Sequence, residues 1–224
     1  MEKRHAIPRG MSLKGRFMSK YDDQYYIVDE VYNENTLYLT ALQKTANRDY
    51  EYTKMEFGQE PLFFENAYKD RDIKENISRP IQKSHMNMNF VLVNGEARDL
   101  LKKKVINGFQ LYPAVIIDDK EDYHEGFWFF NIYEDSDYID LNNSVIDDYD
   151  PDADDHDITK FSLNEQLFDS IDEEKRLIFR PLRSHMGYTI VHQKVVDIFT
   201  QLNIDNIKFY KLSEWEDGMQ FRNK

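Results

Sequence analysis

The chain has 224 residues and a formal net charge of −13, from 42 Asp/Glu against 29 Lys/Arg. It has no cysteine, which excludes disulfides, thiolate metal sites and cysteine nucleophiles. Fifteen Tyr and fifteen Phe exclude a disordered composition, and the chain is long enough to bury a real core, as one large domain or two small ones.

The charge is concentrated. Residues 118–157 hold sixteen Asp/Glu and a single basic residue, Lys120, a net −15. Residues 1–117 carry +2 and residues 158–224 are neutral. A near-neutral protein therefore carries one intensely acidic segment.

Residues 1–20 hold six Lys/Arg and one Glu and lack the apolar run of a secretory signal, so they read as a basic flexible tail. No stretch approaches the roughly 18 apolar residues that span a bilayer, and a soluble cytoplasmic protein is expected. Residues 24–31 and 35–42 are aromatic and β-branched around a turn at 32–34 and read as a β-hairpin or meander. Residues 50–57 are a candidate third strand, and 62–89 read as mostly irregular with short helical or strand pieces. Phe90–Val93 reads as a short strand ended by Asn94-Gly95.

Residues 96–107 carry Ala97, Leu100, Leu101 and Val105 on one face, which predicts a helix, with Gly108 as its left-handed cap. A strand is expected over 109–117, where Pro113 argues for an edge or a bulge. Residues 126–133, GFWFFNIY, are uncharged and predict a strand covered on both faces. A short strand is expected at 138–141, and 144–157 read as an exposed loop because Pro151 and adjacent like charges oppose regular structure. Strands are expected at 158–163, 176–182 and 204–212, and a short helix at 164–170. Val191, Val195, Ile198, Phe199 and Leu202 predict a last helix over 190–203, closed by Asn203. The tail after Ser213 reads as frayed, with Trp215 a candidate anchor.

Strands and helices mix without βαβ alternation, so the expected class is α+β: largely antiparallel sheets packed by two main helices, about 96–107 and 190–203. The expected organisation is the tail, a β-rich subdomain over 21–89 and an α+β domain over 90–215, or one continuous domain.

Motifs of catalysis are sparse. There is no glycine-rich phosphate loop and no GxSxG elbow. The six histidines lack HExxH or HxxxH spacing, and His192 reads as a boundary residue of the last helix. Asp148, Asp150 and Asp152 match the first ligand positions of an EF-hand loop, but Ala153 stands where glycine is needed and Thr159 where a bidentate Glu is needed. No catalytic residue, metal or cofactor is expected. Direct nucleic-acid binding is disfavoured, since an acidic segment repels phosphate. A dense carboxylate surface instead steers basic proteins. The candidate partner-binding residues are Asp147, Asp148, Asp150, Asp152, Asp154 and Asp155, with Tyr149 and Tyr123 as aromatic anchors.

From about Phe90 onward an ordered series of features stands out: Tyr112-Pro113 with Ile116, Phe127-Trp128 with Asn131-Ile132, Asp137 with Ile139-Asp140, Ser144, Ile178-Phe179-Arg180, Ile190-Val191 and Phe209. This series resembles a bacterial immunity-protein family associated with polymorphic and type VI secretion toxins, over roughly 120 residues well and the first 80 loosely. The resemblance implies a small intracellular protein that binds a cognate toxin and blocks its active site or substrate access, and the leading expectation is a non-enzymatic cytoplasmic immunity protein. None of these motifs is catalytic, and no family site is carried over. The acidic segment suggests a toxin with a basic cleft. The rival readings are a carboxylate and divalent-metal hydrolase, and an acidic scaffolding protein. The oligomeric state is left open.

Overall fold

The computed structural model describes residues 11–13 and 18–222. The fold is α+β and mostly sheet, with 33% strand and 19% helix. The strands are β1 (Met11–Leu13), β2 (Tyr25–Glu30), β3 (Leu39–Ala41), β4 (Leu62–Asn66), β5 (Ser84–Asn87), β6 (Phe90–Asn94) and β7 (Phe109–Ile117). They continue as β8 (Tyr123–Ile132), β9 (Val145–Tyr149), β10 (Asp157–Lys160), β11 (Ile178–Phe179), β12 (Ile190–His192) and β13 (Ile207–Lys211). The helices are α1 (Gln43–Ala46), α2 (Lys69–Glu75), α3 (Gly95–Leu101), α4 (Glu165–Ser170), α5 (Gln193–Gln201) and α6 (Met219–Arg222).

Among the described residues three sheets form, in the orders β3-β4-β7-β8-β6-β5, β11-β12-β2-β13 and β1-β9-β10. Among the described residues every pairing between these strands is antiparallel except β4 with β7. Alternation along each strand sorts the core into layers. On β8, Phe127 and Phe129 face a cluster with Phe64, Leu92 and Tyr112, while Phe130 and Ile132 face α3, α5 and the four-stranded sheet. On β2, Val28 joins that second cluster, while Tyr25 and Ile27 face a third with Ile146, Ile158, Phe168 and Trp215. The 126–133 expectation of a strand covered on both faces matches this arrangement. Strands from both sides of position 89/90 share the six-stranded and four-stranded sheets.

Several expectations are corrected. The 24–31 and 35–42 segments do not form a hairpin: β2 pairs with β12 and β13, and β3 pairs with β4. Partners from the far end of the chain outcompete the local turn. Residues 50–57 form turns, with Tyr50 and Met55 buried under the six-stranded sheet. The segment 62–89 is more regular than expected, holding β4, α2 and β5. Residues 138–141 make only an isolated bridge, Ile139 to Leu163. Within the expected tail, Met11–Leu13 is a strand; residues 1–10 and 14–17 lie outside the described residues. Trp215 is 1% exposed, packed edge-on against Tyr188 and Tyr210, so the region after Ser213 is anchored.

Both main helices are shorter than their apolar patterns. α3 starts on the Asn94 side chain, which accepts the Ala97 N–H, and stops at Leu101, leaving Val105 exposed. Gly108 is therefore not its cap. It has φ +63°, and a Cβ there would lie 2.9 Å from Glu134 Cβ and O, so a close approach requires glycine. α5 begins only after His192, because Ile190 and Val191 are committed to pairing with Ile27 and Tyr26. His192 is the N-cap: its Nδ1 accepts the Lys194 N–H. Asn203, at φ +51°, closes the helix with the Ile204 N–H donating to the Phe199 carbonyl.

Candidate interaction site: the acidic hairpin

The exposed loop expected at 144–157 is a β-hairpin. β9 pairs with β10 on one side and β1 on the other. Ile146 and Ile158 face each other across the ladder and are buried in the core, at 0% and 5% exposure. That apolar pair holds the hairpin, and the charges occupy its outer positions. Asp147 stands directly opposite Asp157, and both are exposed. Like charges in a cross-strand pair destabilise a ladder, so the fold gains nothing from this pair. Asp148 adopts φ +48°, a left-handed conformation that Asp tolerates better than most residues.

Beyond Tyr149 the chain turns on Asp150. Its side-chain Oδ1 accepts the Asp152 N–H at 3.0 Å, and its carbonyl accepts the Ala153 N–H. Asp152, Asp154 and Asp155 are exposed and Asp150 is half-buried. The return strand is tied down at His156, whose N–H donates to the Arg183 carbonyl and whose carbonyl accepts the His185 N–H. Among the described residues, Asp147, Asp148, Asp154, Asp155 and Asp157 form no ion pair; Arg183, on the adjoining loop, pairs with Asp137.

The structure thus brings Asp147, Asp148, Asp150, Asp152, Asp154 and Asp155 onto one hairpin. The two tyrosines are placed differently. Tyr149 is half-buried and stacks on the His156 ring at 5.3 Å, so its ring is used within the fold. Tyr123 is 63% exposed but opens β8 in the six-stranded sheet, apart from the hairpin's own sheet.

Acids in the interior were not singled out from sequence, since 42 carboxylates offer no local signal. Asp22 is 1% exposed; burial pushes its carboxyl up to about 6, partly offset by the Leu163 and Ser19 N–H groups and the Ser162 hydroxyl. Glu30 is 7% exposed; burial pushes it up to about 8 against one N–H, from Met86. Asp22 precedes β2 and Glu30 ends it, and six extended residues span about 20 Å, so the two do not converge on one substrate. Among the described residues no group of three His, Asp or Glu side chains could hold a metal ion, and no helix is long and apolar enough to cross a membrane. Compared with known proteins, the chain matches no family model and no curated protein.

Proposed function

We propose that this chain is a non-enzymatic immunity protein that acts in the bacterial cytoplasm, binding a cognate secreted toxin through the β9–β10 hairpin and covering a basic active-site cleft. The carrying observation is the placement of charge: an apolar pair, Ile146 and Ile158, anchors a hairpin whose exposed positions are mostly carboxylates, including the opposed Asp147 and Asp157. A repulsive pair that the fold does not need is relieved when a cationic partner neutralises it. The resemblance of the 90–209 motif series to toxin-immunity proteins supports the same reading.

The test is binding to the C-terminal domain of a toxin encoded immediately upstream, using wild-type protein and a variant carrying Asp147→Asn, Asp148→Asn, Asp152→Asn and Asp154→Asn. The variant is expected to bind at least about tenfold more weakly, with a flatter salt dependence. Unchanged affinity and salt slope would remove the hairpin from the interface.

A further inference from the structure

A second surface lies on the six-stranded sheet, away from the hairpin's sheet. It forms a groove of about 360 Å³ between α3 and the first half of β7. Its floor is Phe109, Leu111, Pro113 and Trp128, which are half-buried. Phe57 closes one side and is 72% exposed, and the other side carries Arg98, Lys102 and Lys104.

Two features of the chain create this groove. β4 pairs with β7 only from Ala114 onward, so Phe109–Pro113 has a strand neighbour on the β8 side alone. Pro113, which lacks an N–H, suits that one-sided position. α3 ends at Leu101, about one turn before Val105, where its apolar pattern ends, and so leaves the adjoining sheet face open. The turn after the helix then lays Lys102 and Lys104 along the rim.

The rim differs in sign from the protein as a whole. Arg98 lies over the Trp128 ring at 4.2 Å and pairs with Asp99 at 2.8 Å. Lys102 pairs with the same Asp99 at 2.6 Å, and Lys104 with Glu174 at 2.9 Å. These ion pairs are at the surface, where such pairs contribute little and exchange readily. One carboxylate, Asp99, is shared by two cations, and Lys103 is exposed beside them. An incoming carboxylate therefore meets excess positive charge beside an aromatic floor.

We propose that this groove binds an extended acidic segment of a partner protein that carries one aromatic or branched apolar side chain. The apolar side chain would lie between Phe57 and Trp128, and flanking carboxylates would meet Arg98, Lys102 and Lys104. Apolar burial supplies affinity, and the cationic rim rejects basic segments. The inference does not depend on the toxin reading, because it concerns a different sheet and the opposite charge.

The experiment measures fluorescence anisotropy of the full chain with a panel of labelled twelve-residue peptides. Each carries four or more Asp/Glu around a single Phe or Leu; matched controls replace the acids with Lys or the apolar residue with Ala. Saturable binding by acidic apolar peptides is expected, weakened about tenfold by Phe57→Ala, by Lys102→Gln with Lys104→Gln, and by either control change. These side chains are at the surface, and an unchanged melting temperature confirms that the variants fold. The proposal is overturned if no acidic peptide binds, if the basic peptides displace a bound acidic peptide as effectively as unlabelled acidic peptide does, or if the groove variants bind like wild type. It is also overturned if sedimentation finds a self-association that the lysine variant abolishes, which would assign the groove to a second copy of the chain.

Discussion

Asp147 and Asp157 are direct partners across the β9–β10 ladder, with Ile146 and Ile158 the next pair inward. The inner pair holds the ladder and the outer pair opposes it. Replacing Asp157 with Thr removes the repulsion and adds a β-branched side chain, so a gain of about 0.5 kcal/mol is expected. Urea denaturation measures it. A loss of stability would mean that the two carboxylates do not repel in the folded state.

Glu30 makes the stability of this fold fall with rising pH. Its folded-state pKa is raised from 4.5 to about 8, chiefly by burial, with Asp29 adding to the shift. The folded chain therefore holds a proton that the unfolded chain releases, and stability is lost as pH rises from about 4.5 through 8. Glu30→Gln removes that cost. Its advantage over wild type should grow between pH 5 and pH 9 by an amount on the order of 3 kcal/mol. Melting temperatures of both proteins across that range check it, and a constant difference would contradict it.

Asp72 has the opposite sign. Its side chain is fully buried; the Arg79 guanidinium holds it well below the usual carboxylate range, against the upward pull of burial, with help from Asn66 and Arg71. The stability it contributes is present above its ordinary pKa of 3.8 and is lost as pH falls below it. Asp72→Asn leaves Arg79 buried without its carboxylate, at a cost of about 3 kcal/mol at neutral pH. That cost should shrink below pH 4.

Trp215 separates packing from hydrogen bonding. It is 1% exposed, and among the described residues its Nε1 has no hydrogen-bond partner. Trp215→Phe loses no hydrogen bond and keeps an aromatic ring against Tyr188 and Tyr210, so it should cost less than half of Trp215→Ala, which is expected to lose about 3–5 kcal/mol. Equal costs would point to an unseen partner for the indole N–H.

Gly108 combines φ +63° with 2.9 Å approaches from Glu134. Gly108→Ala is therefore strained twice over, and a loss of more than about 1 kcal/mol is expected by chemical denaturation. A neutral substitution would show that the 133–134 segment can move away.

Elements written in local pattern were legible. The uncharged run over 126–133 predicted a covered strand, and its 127–132 part lies in β8 between β7 and β6, at the centre of the largest sheet. Pro113 argued for an edge or a bulge, and β4 joins β7 only past it, with a register shift against β8 between Ala114 and Ile116. The hairpin was not legible. Seven aspartates surround two isoleucines there, and like charges with Pro151 argue for a loop until Ile146 and Ile158 find the core formed by Tyr25, Ile27 and Trp215. The buried acids Asp22 and Glu30 were hidden for a related reason: nothing adjacent in the chain distinguishes them from exposed ones.

The sequence by itself determined where the charge lies, which runs must be buried and that the class is α+β, because composition and periodicity act over a few neighbouring residues. Tertiary structure alone decided that β2 pairs with β12 and β13 rather than with β3, that α3 and α5 stop short of their apolar patterns, and that the acidic segment becomes a hairpin anchored by two isoleucines. Each of these outcomes is a competition between a local preference worth a few tenths to one kcal/mol and burial against partners distant in the chain, which is worth about 1.5–3 kcal/mol per large side chain and prevails.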